Sequence, residues 1–541
     1  MRIQDLVLNF ISNHKSYMGL YIFFSCATPI VNVLLPKYYG ELLNDIKKKE
    51  NRQFLKNVGL ILFLWILAQV FYSIMDKMDK IILPKLQSYV RYEFISYILE
   101  QSNYSYNEIE TGDIISKILK LPTILKELFH QTRYVFFPTF MTVLFSIVYF
   151  TYLNPKLGIV ALFSISVFVT YLYNYMQNSL ISSQETDSKH NRLHEEIDDI
   201  LTNIFAICSS GNTRQELERI KQYQYEYDVQ YKDTLDRSSK VKRRFNLSYV
   251  LILTVIFGYA FYLQIKDELQ PEQLISVLFV LIYLINQLAN TSGEVRDLIF
   301  NIGIIQKINN YLNTLSTTHK QNDKKINITE GNIYFNNVTM KYNNTTHYIF
   351  KNFSYSFPSH KKTGIEGSIG TGKSTLIKLL LGLYSIEQGD IQIDGQSIQD
   401  IDIDYYRKHI GFIPQTTQLF NRTILDNILY GTQSNKEEVI QLLNTLKLSQ
   451  ITPDILHKSC GKHGSKLSGG QRQIILLLRC ILKQTSIIIM DEPTASLDYY
   501  SKQDLLRILH TLNNTMLIVT HDPELLSHCD VVINSSQFIQ P

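Results

Sequence analysis

The sequence predicts two domains of different kinds: an N-terminal all-α transmembrane domain with six helices, followed by a soluble α/β domain. The first 300 residues contain six long apolar runs without Asp, Glu, Lys or Arg. From about residue 326 the pattern changes to short apolar strands, glycine-rich turns and amphipathic helices. Hydrophobic residues make up 45% of the 541 residues and charged residues 19%, as expected for a chain with one lipid-embedded and one soluble part.

The six apolar runs are each close to the roughly 20 residues that cross a bilayer as a helix. They cover residues 17–36, 57–75, 134–153, 158–176, 245–264 and 274–288. One such run is compatible with a buried core helix, but six in 300 residues are not. Long polar segments with helical periodicity follow the second and fourth runs, which predicts helices that extend beyond the bilayer on one side.

The segments around these runs complete the expected domain organisation. Residues 1–15 place Ile3, Leu6 and Phe10 on one helical face, which predicts an amphipathic helix at the membrane interface. Residues 16–315 form the transmembrane domain, the polar residues 316–325 form a linker, and residues 326–541 form the α/β domain. The net charge of +4 gives no argument for nucleic acid as a partner, and the five scattered cysteines predict free thiols.

A phosphate-binding loop identifies the chemistry of the α/β domain. Residues 367–375 read GSIGTGKST, which fits the pattern G-x-x-x-x-G-K-[ST] between a predicted strand and a predicted helix. The glycines let backbone N–H groups approach phosphates, Lys373 neutralises the β- and γ-phosphates, and Ser374 ligates Mg²⁺. The nucleotide-binding candidates in this loop are Gly367, Ser368, Gly370, Thr371, Gly372, Lys373, Ser374 and Thr375. ATP and Mg²⁺ are the expected cofactors of this P-loop domain.

A second element supplies acids. Residues 487–490 form an apolar strand that ends in Asp491 and Glu492. Asp491 is placed to hold Mg²⁺ through its water shell, and Glu492 is placed to polarise an attacking water. The sequence therefore predicts hydrolysis of the bound nucleotide.

The pentapeptide LSGGQ points to a family. Leu467, Ser468, Gly469, Gly470 and Gln471 match the signature of the ABC transporters, and over its whole length the chain resembles an exporter-type half-transporter. It is similar to exporters related to P-glycoprotein and to bacterial drug and lipid exporters. Two glycines and a serine at a helix N-terminus form an anion site. In this family, the signature contacts the γ-phosphate of ATP bound to the opposite ATPase domain.

The resemblance implies further site residues. Tyr342 resembles the aromatic residue that stacks on adenine, with Tyr348 as a nearby competitor. Gln415 resembles the glutamine that reaches Mg²⁺ and the attacking water, His521 resembles the switch histidine, and Asp498 ends the D-loop.

Three positions depart from the family pattern. Residues 495–498 read ASLD where many exporters have SALD, residues 461–464 read GKHG without the usual acid, and Ile474 replaces the usual arginine. Each departure predicts weaker communication between domains, but none removes a phosphate, magnesium or water contact.

The resemblance implies ATP-driven export by alternating access. A soluble ABC ATPase is excluded by the six runs, and an importer is disfavoured because membrane and ATPase parts are fused. An ATP-gated or regulatory membrane protein without net transport is the remaining alternative, although the hydrolytic residues are all present. Drugs, lipids and peptides are all candidate substrates.

One chain has one P-loop and one signature, so the expected partner is a second half-transporter, most simply an identical chain. The ATPase domain requires cytosolic ATP, which predicts that it and both termini face the cytosol. The loop at residues 47–56 then faces the opposite side, although it contains five Lys and Arg residues.

Overall fold

The computed structural model describes residues 2–104, 111–315, 324–325, 327–342, 345, 347–368, 370–399 and 401–538. Most of the expected linker, residues 316–323, lies outside the described residues. The chain divides into two compact units, one formed by Met1–Ile98 with Ile109–Ser316 and the other by Leu99–Glu108 with Thr317–Pro541. The first is helical throughout its described part, and the second combines strands and helices.

The first unit is built mainly of very long helices. They are α1 (Ile3–Asn13), α2 (Lys15–Phe24), α3 (Ala27–Pro29), α4 (Leu35–Lys48), α5 (Asn51–Tyr104), α6 (Thr111–Gln131), α7 (Phe137–Leu153), α8 (Pro155–Thr202), α9 (Ile204–Ser210), α10 (Thr213–Ile265) and α11 (Pro271–Leu315), with π-helical turns at Ile30–Leu34 and Thr132–Phe136. At about 1.5 Å rise per residue, the 53-residue helix α10 is much longer than a bilayer is thick. The predicted extension of helices beyond the membrane is thus present.

Among the described residues, five helical stretches are long and apolar enough to cross a membrane: Lys15–Lys48, Asn51–Gln101, Ile114–Leu153, Thr213–Ile265 and Pro271–Asn313. They contain five of the six predicted runs. The fourth run falls on α8, where the shorter apolar stretch Pro155–Thr170 precedes side chains outside the described set. The all-α membrane unit is confirmed, and its count of six spans stays a prediction.

Large apolar side chains cover the outside of these spans. Trp65 is 55% exposed, Ile66 65%, Phe163 71% and Leu251 65%. In water such a surface would be unfavourable, whereas lipid chains solvate it at no loss.

Two prolines inside apolar runs, Pro29 and Pro138, coincide with irregular helix geometry. Pro29 ends α3 directly before the π-helical turn Ile30–Leu34, and Pro138 lies in the first turn of α7 directly after the π-helical turn Thr132–Phe136. Proline lacks the N–H that an α-helical ladder requires, so the backbone rearranges locally while the span continues.

Helix α1 is amphipathic and uses its apolar face within its own unit. Ile3, Leu6 and Phe10 are 2–3% exposed and belong to a hydrophobic cluster with residues of α5, α6 and α11. Its location at a membrane interface stays a prediction.

The second unit contains two sheets. Its strands are β1 (Ile333–Lys341), β2 (Tyr348–Phe357), β3 (Lys362–Glu366), β4 (Gln388–Ile393), β5 (Gln396–Ser397), β6 (Ile410–Ile413), β7 (Ile487–Asp491), β8 (Thr515–Val519) and β9 (Val531–Asn534). The antiparallel sheet has the order β2-β1-β4-β5, and the parallel sheet has the order β6-β7-β8-β3-β9. The predicted strand at residues 487–490 and the apolar run at residues 516–519 are central strands of the parallel sheet and are fully buried.

The described part of this unit also contains seven α-helices: α12 (Lys373–Leu380), α13 (Ile403–Lys408), α14 (Ile424–Ile428), α15 (Lys436–Leu446), α16 (Gly469–Leu482), α17 (Tyr499–Thr511) and α18 (Pro523–Ser527). Short 3-10 turns lie at Pro453–Ile455, Lys462–Gly464 and Ser535–Phe538. Helix α12 packs in a hydrophobic core with the antiparallel sheet, and α16 packs in a second core with α14, α15 and α17. The predicted α/β domain is confirmed.

Candidate functional site

Four strands of the parallel sheet bring the predicted hydrolytic residues to one edge. In a parallel sheet all carboxyl ends lie on the same edge, where ligands of open α/β folds bind. The P-loop follows β3, His521 lies two residues after β8, Asp491 ends β7, and Gln415 lies two residues after β6. Since β8 pairs with both β3 and β7, one strand separates the P-loop from the acids.

The P-loop backbone has the shape that its glycines allow. Gly367, Gly370 and Gly372 all have positive φ angles, of 144°, 87° and 86°. A Cβ atom on Gly372 would lie 3.1 Å from Ile349 and 3.3 Å from Phe350, whereas one on Gly370 would meet open space. The absence of a Cβ atom at Gly372 lets the loop pack on β2. The open space at Gly370 leaves the outer side of the loop accessible to a ligand.

Side chains of the loop stabilise its curvature. The Lys373 ammonium donates to the carbonyl oxygens of Gly367 and Ser368, the latter at 2.8 Å. The Thr371 hydroxyl donates to the Ser368 carbonyl at 2.8 Å and shares a 2.5 Å hydrogen bond with the Ser535 hydroxyl. Ser535 is a buried residue that the sequence pattern did not indicate, because it lies 164 positions from its partner.

Glu492 and His521 lie side by side. The Glu492 N–H donates to the Val519 carbonyl at 2.8 Å, which fixes Glu492 in a left-handed conformation with φ of 48°. One carboxylate oxygen is 3.6 Å from Nε2 of His521, and the other accepts the His521 backbone N–H at 3.4 Å. A non-glycine residue with positive φ is uncommon and is often found at functional sites.

Electrostatics link these acids to the P-loop lysine. Burial, followed by the negative charge of Glu492, raises the pKa of the Asp491 carboxyl. Burial also lowers the pKa of the Lys373 ammonium, against the opposing effects of Glu492 and Asp491. The three groups therefore share one electrostatic environment, in which a bound cation near the acids would favour ionised Asp491.

Tyr342 lies at the P-loop helix. Its hydroxyl shares a 2.9 Å hydrogen bond with the Thr375 hydroxyl, and its ring meets Tyr384 edge to face at 5.3 Å. Tyr348 instead stacks below the Lys341 ammonium at the start of β2 and is 38% exposed. Of the two candidates, Tyr342 is the one with a contact to the loop residues. Gln415 is exposed beyond β6.

The signature residues begin helix α16. Ser468 is its N-cap: its hydroxyl accepts the Gln471 N–H at 3.1 Å, and the Gln471 side chain accepts the Ser468 N–H at 3.1 Å. This reciprocal capping box fixes the helix N-terminus. A Cβ atom on Gly469 would lie 2.6 Å from the Ser496 carbonyl, so glycine is needed for contact with the D-loop.

Gln450 connects the signature to the D-loop. Its side-chain oxygen accepts the Ser468 hydroxyl at 3.3 Å, and its amide donates to Asp498 at 2.6 Å. The Asp498 carboxylate also accepts the Ser501 N–H at 2.8 Å and caps α17. Gln450 was not predicted, since it lies 18 and 48 residues from its two partners and belongs to no motif.

The signature and the P-loop belong to different parts of the cassette. Leu467 packs at the second core, whereas the P-loop helix α12 packs in the first. In the described part of the chain, no hydrogen bond or ion pair joins Leu467, Ser468, Gly469, Gly470 or Gln471 to the P-loop.

A P-loop on a parallel sheet, two acids at the end of β7 and a unit of membrane-length helices define a membrane protein with a P-loop nucleotide-binding domain. Family comparison makes this specific: residues 18–288 match the model "ABC transporter transmembrane region", and residues 350–495 match the model "ABC transporter". The chain belongs to the ABC transporter family, with one membrane region and one ATP-binding cassette.

Relatives and solved structures agree with this assignment. The chain is 24% identical to the ABC-type oligopeptide transporter ABCB9 of Mus musculus, over 96% of this chain and 69% of that protein. It is 36% identical to the mitochondrial iron-sulfur clusters transporter ATM1 of Debaryomyces hansenii, over 38% of this chain and 31% of that protein. Its fold matches a bacterial Atm1-family ABC exporter with ATP bound, at a TM-score of 0.82 and 20% identity, over 99% of this chain and 94% of the other.

Proposed function

We propose that two copies of this chain form an exporter whose ATPase domains bind and hydrolyse ATP at two shared sites. ATP-driven translocation across a membrane is the function of the class to which the chain belongs. The observation that carries the proposal for this chain is the complete set of hydrolytic residues at one sheet edge: Lys373, Asp491, Glu492 and His521. A regulatory protein without turnover would not need that set.

The P-loop fits a nucleotide phosphate chain. Its outer side is open at Gly370, and the Lys373 ammonium already lies against two loop carbonyls, within reach of a bound phosphate. The N–H groups in the first turn of α12 are directed toward the same place and favour anions. Tyr342, whose hydroxyl contacts that of Thr375, is the residue expected to stack on the base.

The acids fit Mg²⁺, which would supply charge neutralisation between the β- and γ-phosphates. Ser374 in the first turn of α12 and Asp491 at the end of β7 are the expected oxygen ligands, and Gln415 is an expected third. The raised pKa of Asp491 agrees with a buried carboxylate that a cation would keep ionised.

Glu492 is the proposed general base. Its backbone is fixed by the hydrogen bond to Val519, so its carboxylate has a defined direction beside the sheet edge. It would accept a proton from the attacking water, and His521, 3.6 Å away, would hold the γ-phosphate oxygens and orient the carboxylate.

The signature is proposed to complete the site of the opposite chain. Helix α16 has 14 residues, and its N-terminus is fixed by the Ser468 capping box, so its free N–H groups form an anion site. The P-loop and the signature are anchored in separate hydrophobic cores of the cassette. Two identical chains, arranged with each signature facing the other P-loop, would give two competent sites, and a homodimer is therefore favoured over a heterodimer.

We also propose the topology. The ATPase domain and both termini face the cytosol, since ATP is supplied there. Six spans, with α8 as the fourth, place the turns between α4 and α5, α7 and α8, and α10 and α11 on the other side. The similar proteins include an oligopeptide transporter and an iron-sulfur clusters transporter. Peptides, together with the lipids that the sequence resemblance suggests, are the first substrates to test.

The direct test is transport by inside-out proteoliposomes. Labelled peptide and lipid libraries should accumulate or flip only with ATP and Mg²⁺, and the Glu492→Gln chain should show neither transport nor turnover. Rapid hydrolysis without movement of any substrate class would favour the regulatory alternative.

A further inference from the structure

The turn between α4 and α5 carries a group of cations outside the candidate nucleotide site. We call residues 47–56 the outer hairpin. Helix α4 ends at Lys48 and α5 begins at Asn51, so only two residues lie between the helices. The cations of the outer hairpin are all exposed: Lys47, Lys48, Lys49, Arg52 and Lys56. The only acid within it is Glu50.

The outer hairpin combines five cations with one acid, a net charge of +4. None of the cationic side chains forms an ion pair or hydrogen bond within the described part of the chain. The neighbouring acid Asp45 is 5% exposed and accepts the Asn57 amide at 2.8 Å, so it is directed inward. Arg52 lies in the first turn of α5, which has no acidic residue, so its charge meets the positive end of the helix dipole. An anion from outside the chain would therefore meet several unpaired cations at this turn.

The helix rise places these cations at the level of lipid headgroups. The uncharged run of α5 begins at Asn57. At about 1.5 Å per residue, Lys56 lies roughly 1.5 Å and Arg52 roughly 7.5 Å beyond that point along the helix axis. The polar layer on each side of a bilayer is about 5–7 Å thick. A turn this short cannot carry its charges far from that layer.

Apolar side chains accompany the cations. Leu55 is 69% exposed and Ile46 is 59% exposed. This combination allows apolar side chains to enter the acyl boundary while lysine stems extend their ammonium groups to the phosphates. We propose that the outer hairpin binds the headgroup phosphates of anionic phospholipids in the leaflet opposite the ATPase domain. The choice of leaflet rests on the topology proposed above.

The experiment uses the full-length protein in vesicles with phosphatidylglycerol confined to one leaflet and phosphatidylcholine elsewhere. A fluorophore is attached to a cysteine at Asn51 in a Cys208→Ser background, and energy transfer to labelled headgroups reports the local lipid composition. Labelling with an impermeant reagent before and after permeabilisation gives the orientation independently.

Phosphatidylglycerol should be enriched around the wild-type hairpin only when it is in the hairpin's own leaflet. Replacement of all five outer-hairpin cations by Gln should reduce that enrichment at least about ten-fold, since each cation near an anionic surface contributes roughly five-fold. The matched control replaces five cations that are exposed before the fifth run, namely Lys232, Arg237, Lys240, Lys242 and Arg243, and should leave the enrichment unchanged. Basal ATPase activity should be the same in both variants and reports folding.

Equal enrichment in the wild type and the five-site variant would overturn the proposal. Full displacement of the lipid by inorganic phosphate would also overturn it, because the ligand would then be a soluble anion. If the variant does not fold, the wild type must still lose its enrichment in high salt, where screening is strong. If position 51 is labelled from the ATPase side while phosphatidylglycerol is still enriched around the hairpin, the topology is refuted but the lipid site is supported.

Discussion

Replacement of Glu492 by Gln should separate binding from hydrolysis. The P-loop contacts do not involve this side chain, so ATP affinity should stay within about three-fold of the wild type. Loss of the general base should lower kcat by at least about 100-fold, the lower limit for general acid–base catalysis. The expected product is an ATP-occluded closed dimer.

The structure also predicts that this variant is folded and holds magnesium well. The side chain is 17% exposed, and Gln keeps both its volume and an oxygen that accepts the His521 N–H. The backbone bond to Val519 is unaffected, so stability should change by no more than about 1 kcal/mol. The negative charge of Glu492 raises the pKa of Asp491, so its removal should lower that pKa. Asp491 would then stay ionised to lower pH, and Mg²⁺-dependent nucleotide binding should persist to lower pH than in the wild type.

The assay is phosphate release and equilibrium binding of a fluorescent ATP analogue by the purified protein in nanodiscs, from pH 5 to 8. The exposed acid Glu437 gives a matched control, since Glu437→Gln removes the same charge from α15 and should leave both properties unchanged. Hydrolysis by Glu492→Gln at the wild-type rate would refute the assignment of the base.

Three further predictions concern other parts of the chain. A cysteine at Asn51, in a chain without other exposed thiols, should react with an impermeant reagent only from the non-cytosolic side; reaction only from the ATPase side would refute the topology. Tyr342→Ala should weaken ATP binding about ten-fold, since stacking on a base is worth about 1–3 kcal/mol, and Tyr348→Ala should not; the reverse result would exchange their roles. The buried Tyr406 hydroxyl donates at 2.6 Å to the last carbonyl of α12, so Tyr406→Phe should destabilise the cassette by about 1–3 kcal/mol. Denaturation measures this change, with Tyr405→Phe as the control. An unchanged unfolding midpoint in Tyr406→Phe would contradict the prediction.

The parts of the site that sequence analysis found are local in the chain. The P-loop, the Asp491–Glu492 pair and the signature each combine a short motif with the strand or helix it begins or ends, so residue type and spacing suffice to predict them. The two-domain organisation was also predictable, because membrane-length apolar runs and buried parallel strands have different lengths.

The parts that sequence analysis missed depend on tertiary contacts. Gln450 joins Ser468 to Asp498, and Ser535 braces Thr371, but neither lies in a motif or within ten residues of its partner. The π-helical turns in the first and third spans were also not predictable, since the sequence shows which N–H is missing and not how the backbone rearranges.

The most direct test of the shared-site account is ATP occlusion by mixed dimers of two dead chains, Lys373→Ala and Ser468→Arg. In each homodimer, both ATP sites contain an inactivating substitution. In the mixed dimer, one site contains both substitutions, while the other combines an intact P-loop with an intact signature. Purified mixed dimers, isolated through two different tags, should occlude one ATP per dimer, while neither homodimer occludes any. Mixed dimers that occlude no more ATP than the dead homodimers would contradict the account.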